Sequence, residues 1–255
     1  MSLFRPCIDL HDGKVKQIVG STLSDDGSAP ATNFVSEHDS AWYAELYRSD
    51  NLTGGHVIKL GDGNDEAAKL ALAAWPGGLQ VGGGINLDNA REWLDAGAAQ
   101  LIVTSFIFTD GEIRLDRLEK LFDITGRDRL VLDLSCRRGP DGKYYIVTDR
   151  WQKFTNTAIS HDTLAFLSDF AGEFLIHAVD VEGKQAGIDT KLLGMLAADS
   201  PIPCVYAGGI SSFGDIGEIE RAGGGRIAYT IGSALDIFGG ELSYSEIVAH
   251  ASRKL

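Results

Sequence analysis

The stretch Leu79 to Ser105, LQVGGGINLDNAREWLDAGAAQLIVTS, recurs in the second half of the chain as Cys204 to Ser233, CVYAGGISSFGDIGEIERAGGGRIAYTIGS. Both copies run in one order: an apolar run, Gly-Gly-Ile, polar capping residues, a helical period, Ala-Gly, a second apolar run and a serine. Gly83 and Gly209 lie 126 residues apart, and Ser105 and Ser233 lie 128 apart. A third marker keeps nearly the same offset, because Asp9 in CIDLHDGK and Asp133 in VLDLSCRRGPDGK are 124 residues apart. An internal repeat of this kind is read before single motifs. It predicts two similar halves, with Asp9 and Asp133 ending strands 1 and 5 and a glycine-rich site on strands 3 and 4 and again on strands 7 and 8.

Outward from the repeat, short β-rich runs alternate with helical periodicity, as a parallel sheet with crossover helices requires. Strands are expected at Phe4 to Leu10, His56 to Leu60, Leu79 to Val81, Gln100 to Thr104, Leu130 to Leu134, Phe174 to Ala178, Cys204 to Ala207 and Arg226 to Ile231. Helices are expected near Asp39 to Arg48, Asp65 to Trp75, Leu87 to Ala96, Arg114 to Ile124, Asp162 to Phe170, Thr190 to Ala198, Ser212 to Arg221 and Ser243 to Ser252. Leu164, Leu167 and Phe170 show the helical spacing, behind a capping Ser160. Eight βα units predict the α/β class and a (β/α)8 TIM barrel with a half-barrel internal repeat, as a single domain over residues 1–255. An open doubly wound sheet is the alternative. Polar insertions at Gly20 to Asn33 and Arg137 to Trp151 fall where a barrel carries loops able to close over a ligand.

With 255 residues, 44% hydrophobic and 23% charged, the composition is that of a globular protein. Neither a charged-then-apolar leader nor an apolar run of about 18 residues is present, so a soluble cytoplasmic protein is expected. Cys7, Cys136 and Cys204 lack CxxC spacing and read as buried thiols. The formal charge of −13 argues against nucleic-acid or anionic-membrane partners. An anionic ligand would then rely on local backbone N–H groups.

Gly82, Gly83 and Gly84 can aim successive N–H groups at one anion, aided by the start of the following helix. Gly208 and Gly209 repeat this, with Gly232, Ser233 and a short turn near Asp236 to Gly239 added. A lone Gly-Gly pair is as readily a tight strand-to-helix turn; two copies, each tied to a Ser-bearing strand end, point to a ligand with a phosphate at each end. Asp9 and Asp133 would face its middle, as a general acid and base suited to proton transfer at carbon and oxygen. Asp12, Asp180 and Glu182 read as turn formers and His56 and His250 as structural. His177 closes strand 6 near the site. Lys59 reads as a surface or phosphate-pairing lysine in preference to a Schiff base. No HxH or HExxH spacing supports a metal.

Taken together, CIDLHDGKVKQIVG, HVIKLG, LQVGGGIN, VLDLSCR, FLIHAVDVEG, VYAGGI and GSALDIFGG resemble the fungal and plant branch of the ProFAR isomerase family of histidine biosynthesis, in order from about Phe4 to Gly240. The resemblance implies a barrel that performs an Amadori rearrangement of the bis-phosphorylated aminoaldose ProFAR to the aminoketose PRFAR, as a monomer without cofactor. It matches Asp133 to the general acid and Asp9 to the base. Gly83, Gly84, Thr104 and Ser105 match one phosphate site, and Gly208, Gly209, Gly232 and Ser233 the other. Trp151 matches a loop-5 tryptophan that stacks on the aminoimidazole. Bacterial members commonly have Asp and Thr where this chain has Lys59 and His177, so the resemblance carries over the reaction but not the polar contacts from strands 2 and 6. The alternatives are the sister cyclase barrel, which needs ammonia from a glutaminase, and a non-catalytic phosphosugar-binding barrel.

Overall fold

The computed structural model describes residues 4–18, 32–149, 151–182 and 187–252. Eight parallel-sheet strands run along the chain: β1 Cys7–His11, β2 Gly55–Lys59, β3 Leu79–Gly82, β4 Gln100–Val103, β5 Leu130–Asp133, β6 Glu173–His177, β7 Cys204–Ala207 and β8 Ile227–Thr230. Helices alternate with them: α1 Ser40–Ser49, α2 Asp65–Ala74, α3 Ala90–Asp95, α4 Leu115–Thr125, α5 His161–Ser168, α6 Thr190–Asp199, α7 Phe213–Gly223 and α8 Tyr244–Ser252. This order of elements is the α/β, (β/α)8 barrel class read from the repeat. The chain divides into two compact units, Met1–Ile102 with Thr230–Leu255, and Val103–Tyr229.

In the first unit β1 pairs with β2, β2 with β3 and β3 with β4, all in parallel, with Asp9 opposite Ile58 and Val81 opposite Leu101. These strands are apolar on both faces because both are covered: Ile8, Val57, Leu79, Val81 and Leu101 are fully buried. Each such side chain contributes about 1.5–3 kcal/mol of burial. Helix α2 lays Ala67, Ala68, Ala71 and Leu72 against the sheet, and its first turn carries Asp65 and Glu66 at the positive end of the helix dipole. The segment after Thr230 returns to the same core. Cys7 Sγ donates to the Ile231 carbonyl over 3.6 Å, Tyr43 stacks on Phe238 at 5.4 Å, and Tyr244 Oη donates to Asp50 over 2.7 Å.

The second unit pairs β5 with β6 and β6 with β7 in parallel, with Leu132 opposite Phe174 and Ile176 opposite Tyr206. Helix α5 starts at the expected Ser160, whose side chain accepts from Thr163 N–H. Helix α7 opens on a capping box between Ser212 and Asp215 and ends at Gly224 in the left-handed region.

Two expectations change. Helix α3 starts at Ala90 and not at Leu87, because the Asn86 side chain accepts the N–H groups of Asp88 and Asn89 and turns the chain before the helix begins. The insertion after β5 is not a polar loop but a three-stranded antiparallel sheet of Cys136–Arg138, Tyr144–Thr148 and Lys153–Ala158. Its middle strand buries Tyr144, Ile146 and Val147. After β1, a hairpin pairs Lys14–Ile18 with Thr32–Val35; the rest of the insertion expected at Gly20 to Asn33 lies outside the described residues. All three cysteines are buried, as expected. Among the described residues no helix is long and apolar enough to cross a membrane.

Candidate active site

Asp133 ends β5 with its side chain 15% exposed, and three other side chains gather around it. Ser135, fully buried, donates both its N–H (2.9 Å) and its hydroxyl (2.7 Å) to Asp133 Oδ1. His177, at the end of β6, places Nδ1 3.4 Å from the same oxygen. Trp151 donates its indole N–H to Ser135 Oγ over 3.1 Å and tilts over His177 with ring centres 5.7 Å apart. Burial pushes the Asp133 carboxyl up, but the His177 charge and the hydrogen bonds from His177 and Ser135 together hold it below its ordinary value. The cluster rests with Asp133 as a carboxylate. The structure thus brings together three residues expected from sequence, Asp133, Trp151 and His177, through Ser135, which sequence reasoning missed.

Whereas Asp133 ends β5, Asp9 sits inside β1, third of its five residues and not at its end. Its Oδ2 accepts from Gln17 Nε2 over 2.9 Å, and Gln17 is 5% exposed on the hairpin strand that follows β1. Gly232 makes room for this amide, since a Cβ there would lie 2.6 Å from Gln17 Oε1. Gly232, expected in an anion site, therefore also seats the partner of Asp9. Gln17 is the second missed residue.

The glycine pairs repeat in backbone geometry. Gly83 and Gly84 have φ of +89° and +70°, and Gly208 and Gly209 of +118° and +76°. A Cβ on Gly83 would overlap the Lys59 carbonyl and one on Gly209 the Gly187 carbonyl. Among the described residues, none of these four N–H groups donates a hydrogen bond, which leaves them available to an anion. Thr104 and Ser105 follow β4; Ser105 is exposed and lines a cavity of about 450 Å³ with Thr109, Thr148, Asp149 and Lys153. Ser233 is half-buried ahead of a one-turn helix, Asp236–Phe238, where a short turn was expected. Gly83 and Gly84 belong to the first unit and Thr104 and Ser105 to the second, while Gly208 and Gly209 belong to the second and Gly232 and Ser233 to the first.

Other expectations are corrected by burial. Lys59 is not a surface residue: it is 8% exposed, 2.8 Å from Asp65 and 3.8 Å from the centre of the Trp93 ring. That pairing fits a structural cation. Asp180 does more than shape a turn, accepting from Arg137 Nε and Arg138 N–H and so fastening the β5 insertion to the segment after β6. Tyr144 makes a second fastening by donating to both carboxylate oxygens of Asp189 at 2.8 Å. Glu182 lies in the expected turn, its N–H bonded to the Ala178 carbonyl at 3.1 Å, but its side chain is not free in solvent. Its Oε2 is buried without a hydrogen-bond partner among the described residues, and burial raises its carboxyl despite the opposing charge of His177. Among the described residues no three His, Cys, Asp or Glu side chains are grouped as metal ligands would be.

Residues 4–243 match the family described as histidine biosynthesis protein. The chain belongs to that family. It is 55% identical over 99% of its length to a chloroplastic 1-(5-phosphoribosyl)-5-((5-phosphoribosylamino)methylideneamino)imidazole-4-carboxamide isomerase of Medicago truncatula, covering 83% of that protein. Isomerases of the same name from Neurospora crassa and Saccharomyces cerevisiae are 49% and 48% identical, over 94% and 95% of this chain and 95% of each relative.

Proposed function

We infer that the chain is an isomerase of histidine biosynthesis that converts ProFAR, the aminoaldose named in its relatives, to the aminoketose PRFAR. The observation that carries this is near-full-length identity of about half to isomerases of that name, in a chain that keeps an aspartate within β1 and another at the end of β5. The two units work as one barrel domain on one small-molecule substrate, and the protein acts as a cytoplasmic monomer.

In the chemistry proposed, the acid at Asp133 delivers a proton to the furanose ring oxygen. The C1′–O bond breaks and the C1′–N bond becomes an iminium. Asp9 then takes the proton from C2′, and the electron pair of that C–H bond neutralises the iminium to give an enolamine, which tautomerises to the ketone. Oxidation of C2′ is matched by reduction of C1′ within the substrate, so no external oxidant or reductant is needed. Gln17 supports Asp9 as a base by donating to the carboxylate oxygen Oδ2, which favours the ionised form. His177 stands beside Asp133, so the proton for ring opening is held by the pair and not by an isolated carboxyl. The terminal phosphates sit on the N–H groups of Gly83–Gly84 with Thr104 and Ser105, and of Gly208–Gly209 with Gly232 and Ser233. Trp151 covers the heterocycle.

The test is turnover of purified protein on ProFAR, read through excess cyclase and ammonia. Accumulation of imidazole glycerol phosphate supports the reading; an inert protein that still binds PRFAR contradicts it.

A further inference from the structure

The proposed acid poses a problem: Asp133 rests as a carboxylate, yet ring opening needs its proton. The hydrogen bonds around Ser135 address it. An indole N–H only donates, while a hydroxyl has one proton to give and two lone pairs to offer. With Trp151 Nε1 donating into Ser135 Oγ at 3.1 Å, the Ser135 proton is free to point at Asp133 Oδ1, 2.7 Å away. Ser135 is fully buried, so bulk water does not compete for it. A protonated Asp133 asks the opposite of Ser135, which would then accept.

We propose that Ser135 is a positioning residue through which Trp151 biases the ionisation of Asp133, the seated indole committing the serine proton to the carboxylate and a displaced indole freeing Ser135 to accept from the carboxylic acid. The inference rests on the isomerase reading for its meaning in catalysis, but its hydrogen-bond logic stands on the cluster alone.

A second observation supports it. Trp151 is held at φ +67° and Asp149, two residues before it, at +51°, a backbone region that bulky side chains rarely occupy. The turn is kept in that state by contacts on either side of the indole: Gln152 N–H donates to the Asp149 carbonyl, and Lys153 lies 2.7 Å from the Asp149 carboxylate. A tryptophan used only as an apolar cover has no need of a buried hydroxyl partner. This one reaches, from a strained turn, the one hydroxyl that donates to Asp133 among the described residues. Substrate whose flat heterocycle takes the indole face would compete with the seat, so arrival of substrate and release of Ser135 become one event.

The ionisable groups around the cluster are His177 on β6, Cys136 beside Ser135, Asp180, Glu182 and Asp189 in the segment between β6 and α6, and the paired Arg137. His177 is the group whose proton competes directly with that of Asp133. The variants tested therefore leave His177 untouched.

The experiment is a carboxyl 13C titration of aspartate-labelled protein in wild type, Ser135→Ala, Trp151→Phe and the double variant, with Asp133→Asn to assign the signal. Trp151→Phe keeps one aromatic ring on the His177 side and removes the indole N–H, the group that donates to Ser135. Both single variants are expected to raise the Asp133 pKa by about 0.5 to 1, and the double variant no further than Ser135→Ala alone, because the indole acts through the serine. The fall of kcat/KM for ProFAR with rising pH moves upward with it. An Asp133 pKa that ignores Trp151→Phe, or shifts that add in the double variant, would overturn the proposal. Protein inert on ProFAR whose Asp133 signal still shows the non-additive shifts would sink the isomerase reading and leave the relay in place.

Discussion

Gln17 and Gly232, 215 positions apart, share one small space: the amide that donates to Asp9 packs against Gly232, where a Cβ would lie 2.6 Å from Gln17 Oε1. The candidate base thus depends on a residue expected to serve a phosphate. Gln17→Leu keeps the volume and removes the donor, and a hydrogen bond to a charged group is worth about 1.5–3 kcal/mol. The variant should lose about 10- to 100-fold in kcat with KM little changed. A rise in KM at constant kcat would mean that Gln17 acts on substrate and not through Asp9.

Gly232→Ala should reproduce part of that loss by pushing Gln17 off Asp9. Measured as a cycle, Gly232→Ala in the Gln17→Leu background should cost less than in the wild type, because the side chain it displaces has lost its role. Full additivity in kcat would assign Gly232 to the anion site alone.

The two neighbouring glycines before Ile85 separate conformation from space. Gly84 has φ +70° with nothing within 4 Å of a Cβ, so Gly84→Ala should cost only the left-handed penalty, about 1–2 kcal/mol. Gly83→Ala adds an overlap with the Lys59 carbonyl and should cost clearly more. Urea unfolding of both variants checks this; equal losses would show that the Lys59 backbone moves aside freely.

Glu182 and Asp133 should tilt stability with pH in opposite senses. The Glu182 carboxyl is raised by burial, so its contribution is favourable below its unfolded pKa and is lost as pH rises through the higher folded value. Glu182→Gln should therefore gain in Tm over the wild type from about pH 4 upward. Asp133, net lowered, contributes above its unfolded pKa, and that contribution is lost as pH falls through the folded value. The Tm deficit of Asp133→Asn should shrink in acid. Parallel pH slopes for the two variants would contradict the assigned directions.

What the sequence revealed followed from periodicity and repetition. Gly83, Gly209, Asp9 and Asp133 stand out because each is half of a pair with one offset, and the apolar strands stand out because a parallel sheet is covered on both faces. Gln17 and Ser135 have no counterpart of that kind. Gln17 is polar within KVKQI, and its burial comes from hairpin pairing and from a glycine far along the chain. Ser135 looks like any residue after a strand until Trp151 folds back to it. The β5 insertion did carry a signal, the run Tyr144 to Val147, which its flanking Arg, Gly, Pro and Asp residues outweighed. Lys59 reads as a surface residue in the sequence because its partners, Asp65 and Trp93, belong to α2 and α3, and only the fold brings them to one place.

The most direct test of the central claim is turnover of ProFAR by Asp9→Asn and Asp133→Asn alongside the wild type, with substrate binding measured separately. The account predicts a fall in kcat by a factor on the order of 10² or more in each variant, with binding retained. Wild-type rates in either variant would contradict the assignment of that aspartate to proton transfer.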